Sequence, residues 1–590
     1  MSNKSVNGNQ KVIIANCSGF YGDRFSAAQE MVQGGPIDFL TGDYLAELTM
    51  AILLRKQLKD PNAGYVSTFL KQMEAVMGEC LDKQIRVVSN AGGLNPASLA
   101  NELQAVADKL GLHPKIAYIE GDNLLPRLGE LQERGESFEH LDKGIALKDA
   151  QAQPISANAY MGCWGIVAAL NQDADIVVGG RLADAALVMG PAAWYFKWQP
   201  TDWNQLAGAA VAGHIIECSA QATGGNYSFV DEVPSFSNVG FPIAEIEADG
   251  AATITKHPRT GGLVSIGTVT AQLLYEVREP SYLTPDVIAR FDTIDISDEG
   301  NDRVRIQGVK GEAPTQTSKV CINNLGGYRN SMTIVLAGLD IEKKAEIVTD
   351  ALFESIGGRE AFALSDVQLI RTDKVDPGIN EEAFAHLRLS VMDPDPKKVA
   401  QFSSKLVELA LASIPGFTAT APPSKGVPAI MHWPALVSNQ HIRQTVHIEG
   451  KIIDIAAAPS DSGQVSVEVA SQPIPSLPDS KNVRVAFGKA FATRSGDKGG
   501  NANLGVWAKN PQAYAFLSDY LTVDRLKQLL ADLKEFEIER YDMPNLLAIN
   551  FYIKGVLGDG VAASMRSDPQ AKTLGEYLRA KMVDLPEVIL

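Results

Sequence analysis

Ile85-Arg-Val-Val-Ser-Asn-Ala-Gly-Gly-Leu-Asn-Pro96, with the residues that follow to Gly111, spells one complete strand–loop–helix unit. Ile85–Val88 is short, β-branched and not alternating, as expected of a strand covered on both faces. Ser89–Gly93 is too small and polar to prolong it. Asn95 can then cap a helix, Pro96 suits its first turn, and Leu99, Leu103, Val106 and Leu110 recur at helical spacing until Gly111 stops it. An amphipathic helix laid on a sheet results. Four more strands of the same kind are read at Val12–Ala15, Ile37–Leu40, Lys115–Ile119 and Asp175–Val178. The fold class expected for about residues 11–227 is therefore α/β with a parallel, doubly wound sheet.

Every one of the five strands runs into small or polar residues: Ser18-Gly-Phe-Tyr-Gly-Asp23, Thr41-Gly-Asp43, Ser89-Asn-Ala-Gly-Gly93, Glu120-Gly-Asp122 and Gly179-Gly-Arg181. In parallel sheets the carboxyl ends lie on one edge, where ligands bind. A common cleft is expected there, lined by Asn16, Ser18, Gly19, Asp43, Asn90, Gly92, Gly93, Glu120, Asp122, Arg181 and Asp184. Crowded carboxylates in a partly dry cleft suit proton transfer, with Asp43, then Glu120, then Asp122 as the expected acid/base groups. Asn90 and the amides of Gly92 and Gly93 are read as an oxyanion hole, and Arg181 as an anion clamp. The plain alternative is that such loops use Gly, Asp and Asn for turns and caps, which weighs most on Asp43 and Asp122.

From about residue 228 to 305 the pattern turns to short strands and prolines, an irregular β-rich insertion in the 11–305 core that could cover the cleft. Residues 306–457 spell β-α-β-β-α-β, the order of a split βαβ, ferredoxin-like module. Residues 458–482 are rich in Pro and Ser and read as a linker; residues 483–590 have length and pattern for a further α+β domain, and residues 1–10 read as a disordered tail. In that last domain Arg494-Ser-Gly-Asp-Lys-Gly-Gly-Asn-Ala-Asn503 reads as a tight polar loop. Arg494, Asp497, Lys498, Asn501 and Asn503 are its candidate ligand-binding residues, and a solvated turn is the alternative.

Bulk properties narrow the function. The chain has 590 residues, 45% apolar and 21% charged, with 53 basic against 70 acidic residues and a formal charge of −17. That charge opposes unaided nucleic-acid binding, and an anionic substrate would need a local basic patch. Five dispersed cysteines without a CxxC, no secretory h-region and no apolar run of spanning length predict a cytoplasmic protein with reduced thiols. No GxGxxG, GxxxxGK[ST], HExxH or GxSxG occurs, so no nicotinamide, ATP, metal or α/β-hydrolase chemistry is expected, although a metal held by cleft carboxylates stays open. Gly162-Cys163-Trp164-Gly165 reads as an inert buried thiol leading into an apolar helix.

Several stretches together carry a resemblance. Ile14-Ala-Asn-Cys-Ser-Gly-Phe-Tyr-Gly-Asp-Arg24, Phe39-Leu-Thr-Gly-Asp-Tyr-Leu-Ala-Glu47, Ser89–Pro96, Tyr118-Ile-Glu-Gly-Asp122, Val178-Gly-Gly-Arg-Leu-Ala-Asp184, Gly261–Thr268 and Arg494–Asn503 resemble the acyclic terpene utilisation, AtuA-like family. The resemblance spans about Val12 to Leu585. It implies a C-terminal ferredoxin-like domain and a place in the breakdown of branched terpenoid acyl thioesters. The expectation is a hydratase or lyase working on a CoA thioester by general acid/base catalysis, without a bound cofactor of its own and as a homo-oligomer. The rival expectation is a non-catalytic acyl-CoA-binding or assembly subunit.

Overall fold

Residues 11–150, 153–460, 476 and 480–590 are described by the computed structural model. The expected tail 1–10 lies outside them, as does most of the expected linker 458–482. The five expected strands form: β1 (Lys11–Asn16), β2 (Phe39–Gly42), β3 (Arg86–Ser89), β4 (Ile116–Glu120) and β5 (Ile176–Gly179). They pair in parallel in the order β1-β2-β3-β5-β4. Ala15, Leu40, Val87, Ile176 and Val178 face helices Ala27–Gly34, Ser67–Asp82 and Pro96–Leu110. Val12, Ile14, Ala117, Ile119 and Val177 face Trp164–Asn171, Ala186–Phe196 and Trp203–Glu217. Burial on both faces explains why these strands are apolar without alternation.

The sheet is mixed, however, and not purely parallel. Strand Pro242–Glu247 adds antiparallel to β1, Ala252–Lys256 follows it, and Thr445–Ile448 adds antiparallel to β4, within a sheet of eleven strands. The insertion therefore extends the sheet edge. Residues 445–454, assigned from sequence to the middle module, likewise belong to this sheet.

In the middle region Thr317–Ala337, Leu364–Ile370, Phe384–Asp393 and Val427–Ser438 surround helices Ile341–Ser355 and Pro396–Glu408. Thr317–Ala337 is long enough to pair with Phe384–Asp393 at one end and with core strand Pro154–Ala159 at the other. In the C-terminal domain a four-stranded antiparallel sheet runs in the order Phe491–Lys498, Asn501–Ala508, Ala548–Ile553, Ile538–Met543. The expected polar loop is thus two largely buried strands joined at Gly499-Gly500. Composition misled here because the polar side chains find partners in the insertion. Asn503 donates to Leu274 O and accepts from Glu276 N (3.0 Å), and Asn550 donates to Val277 O (2.7 Å) and Arg278 O (2.9 Å). Among the described residues no helix is long and apolar enough to cross a membrane.

Candidate functional site

Helix Trp203–Glu217 is built almost wholly from small and apolar residues and is buried from Leu206 to its end. At Gly208 an added Cβ would lie 2.1 Å from Gly250 O, so only glycine lets the insertion approach this closely. The helix points its carboxyl end at the ends of β1 and β2. Asn16 Nδ2 donates there to Ile216 O (2.7 Å) and Glu217 O (3.1 Å), satisfying carbonyls that a helix end leaves orphaned. Gly19 permits the contact, since a Cβ would sit 2.7 Å from the Cys218 carbonyl carbon. Asn16 and Gly19 therefore build the site's frame, as does Ser18, whose hydroxyl donates to Phe20 O (3.0 Å).

The frame presents Asp43, Asp184 and Glu217 to one another, with one oxygen from each inside a span of 4.8 Å. Asp43 Oδ1 accepts from Asn90 Nδ2 (2.6 Å) and Leu45 N (3.2 Å); Asn90 Oδ1 accepts from Tyr44 N (2.9 Å). Arg181 is buried, lies 4.1 Å from the Tyr160 ring centroid and donates to Asp184 Oδ1 (2.5 Å). Burial, then the charge of Asp184, holds the Asp43 carboxyl well above the usual carboxylate range. The same two causes, in that order, raise Glu217. Its place at the negative end of a helix adds to this. The three oxygens are spaced as a cation would need, but Arg181 and Lys498 already lie close enough to act on Glu217.

His214 fixes where one proton sits. Its Nε2 lies 2.9 Å from Gln272 O, which can only accept, so Nε2 carries hydrogen. Burial pushes the imidazole down to about 4, leaving it neutral at pH 7 with a bare lone pair on Nδ1. Nδ1 is 3.1 Å from Glu217 Oε1. Nδ1 is buried without a hydrogen-bond partner among the described residues, and burial together with the charge of Asp184 favours the uncharged carboxyl of Glu217 beside the neutral ring.

The C-terminal hairpin closes the site from above. Lys498 acts electrostatically on His214 and Glu217. Arg494 bonds Gln221 Oε1 and lies 4.2 Å from the Tyr275 ring centroid, with Lys572 4.3 Å from the same centroid. Burial draws Lys572 down to about 8. Asp497 lies 4.0 Å from Lys572 Nζ. Asn501 donates to Tyr552 Oη (2.6 Å) and Asp142 (2.9 Å), and so holds the hairpin to the core. A narrow cleft opens alongside, lined by Ala46 and Leu48, which follow Asp43, and by His432, Asp497 and Gly560.

Other expected residues lie outside the three-carboxylate cluster. Glu120 faces His447 (3.4 Å) on the outer strand and its side chain is 42% exposed, because the residue closes β4 against an added antiparallel strand. Asp122 is buried and accepts from Asn158 Nδ2 (2.7 Å) and Arg181 N (3.0 Å), a bracing role. At Gly92 an added Cβ would meet Gly179 O at 2.5 Å, so glycine there lets the β3 and β5 loops pack, while Gly93 turns back at φ +56° against Gly64 and its amide donates to Asn90 O (3.1 Å). Glu217, His214, Tyr275 and Lys572 were not foreseen. The available signal was a His and a Glu three residues apart in an otherwise apolar helix.

Residues 12–448 match the acyclic terpene utilisation family protein AtuA. The chain belongs to that family. Residues 486–584 match the AtuA ferredoxin-like domain, which is the four-stranded domain bearing the hairpin. No curated protein matches the chain. The family segment covers the strand ends and Glu217, and the ferredoxin-like segment covers Arg494–Asn503, so both halves of this AtuA family site fall within matched sequence.

Proposed function

We propose that this AtuA family protein is a catabolic enzyme of acyclic terpenoid or branched acyl-CoA breakdown that adds or removes water, or cleaves a carbon–carbon bond, by proton transfer. The observation that carries the reading is the Glu217–His214 contact inside a three-carboxylate cluster. Addition of water to an unsaturated acyl thioester needs an acid to protonate the α-carbon and a base to take a proton from water. Glu217, whose uncharged form is favoured by burial and by Asp184, supplies the acid. Asp43, oriented by Asn90 and Leu45 N, exchanges the second proton, and Arg181 keeps Asp184 in place between them. Lys498 balances charge as an enolate forms at the thioester oxygen. The hairpin serves in cis, excluding water from the cluster and strengthening each interaction within it.

The test is incubation of the purified protein with unsaturated and hydroxylated branched acyl-CoAs, followed by mass spectrometry. A change of one water, or release of a shorter thioester, supports an enzyme. In Glu217→Gln the rate should fall by about 10²–10⁴. Binding without any change of mass would favour the assembly-subunit reading.

A further inference from the structure

Away from the carboxylates, the middle sheet has one apolar and one polar face. Met332, Ile334, Leu336, Leu387, Leu389 and Val391 point into the helices. The alternate residues point the other way, among them Arg329, Ser331, Arg388 and Ser390, with the two serine hydroxyls 2.7 Å apart. Arg55, from helix Glu47–Gln57, joins them: both Arg388 and Arg55 act on Arg329, whose guanidinium is depressed first by burial and then by these two like charges.

Each arginine is positioned by a single backbone anchor. Arg55 donates to Pro428 O (3.1 Å), Arg329 to Ser564 O (2.8 Å) and Arg388 to Met565 O (2.5 Å), with Ser567 Oγ at 3.3 Å from the last. The Nε atoms of Arg55 and Arg329 are buried without an acceptor. Among the described residues no carboxylate pairs with any of the three, in a chain where acids outnumber bases by 70 to 53. Three converging guanidinium groups with spare donors cost stability through mutual repulsion unless an anion is shared between them.

Their place connects them to the cleft. Ile430, two residues beyond Pro428, lines it, as do Gly560–Ala562 just before Ser564. Leu48 lines it too, and Arg55 lies two helical turns further on, about 10 Å along the axis. Phosphate oxygens match such a set best, because planar guanidinium forks bind them in pairs.

We propose that Arg55, Arg329 and Arg388 form a phosphate-binding site that holds the nucleotide diphosphate end of a coenzyme A ligand, its pantetheine arm running through the cleft towards Asp43 and Glu217. The proposal rests on the acyl-CoA reading for the identity of the ligand, whereas the phosphate site itself does not.

Calorimetric titration of the full chain with coenzyme A, pantetheine and inorganic pyrophosphate tests it, in the wild type and in Arg329→Gln and Arg388→Gln. The wild type should bind coenzyme A and pyrophosphate, and pyrophosphate should raise its thermal midpoint. Each variant should weaken coenzyme A about tenfold or more and leave pantetheine unchanged. Coenzyme A affinity within twofold of wild type in both variants overturns the site. Should neither variant fold, absence of any midpoint shift with millimolar pyrophosphate in the wild type overturns it equally. A chain that binds coenzyme A through these arginines yet turns over no thioester keeps the site and loses the proposed reaction. One that turns over thioester with unchanged KM in both variants keeps the reaction and loses the site.

Discussion

Replacing Asp43 by Asn separates what this residue does for chemistry from what it costs the fold. Asp43 Oδ1 alone accepts both of its hydrogen bonds, from Asn90 Nδ2 and Leu45 N, so an amide with its oxygen in that place keeps both. What changes is ionisation. The folded-state pKa of Asp43 is raised, by burial first and the charge of Asp184 second. Linkage then fixes the sign: the folded chain holds this proton more tightly than the unfolded chain, so stability from it is present at low pH. It is lost as pH rises through the interval from the unfolded to the folded pKa, at about 1.4 kcal/mol per unit of separation. An amide never ionises and escapes that loss. Asp43→Asn is therefore expected to match wild type near pH 4 and to exceed it by on the order of 1 kcal/mol or more above the folded pKa, while turnover falls by about 10²–10⁴. Thermal midpoints of both proteins between pH 4 and 9, with thioester turnover at each pH, measure the two effects. A variant that is less stable than wild type at pH 8, or a difference that does not grow with pH, would refute the description of Asp43 as a buried acid under electrostatic strain.

Three further outcomes follow from the packing. Asn503→Ala leaves Leu274 O and Glu276 N buried without partners, so it should cost about 2–4 kcal/mol and expose the 499–500 turn to limited proteolysis; unchanged resistance would mean the hairpin is not held there. Gly92→Ala, with its Cβ 2.5 Å from Gly179 O, should destabilise by about 1–3 kcal/mol, seen as a lower thermal midpoint, and an unaltered midpoint would contradict the close packing of the β3 and β5 loops. Burial pushes the Cys17 and Cys80 thiols up to about 12 and raises Cys163 and Cys218 as well, so none should react within minutes with an aromatic disulfide at pH 7. Mass mapping of rapid labelling to any of these four would contradict that.

The parallel core was legible because each strand is a self-contained apolar run followed by a loop and a capped helix, all within some thirty residues of local pattern. Asn95 capping Ser98 N and Gly111 at φ +69° stand where the residue types place them. Asp43 and Asn90 meet for the same reason, as both follow directly upon parallel neighbours. What local pattern cannot carry is long-range satisfaction of polar groups. Arg494–Asn503 was read as a loop since no strand favours such a composition, yet it is buried strand because Leu274, Glu276 and Gln221, more than two hundred residues away, supply its partners. Glu120 is the converse case: its loop looks like the others, but Thr445–Ile448 adds beyond β4 and that side chain lies against His447. Glu217 and His214 combine both difficulties, being polar groups in an apolar helix whose roles depend on the ends of β1 and β2. A polar pair that a buried helix retains despite the cost of desolvation is the kind of local exception from which a site is best sought.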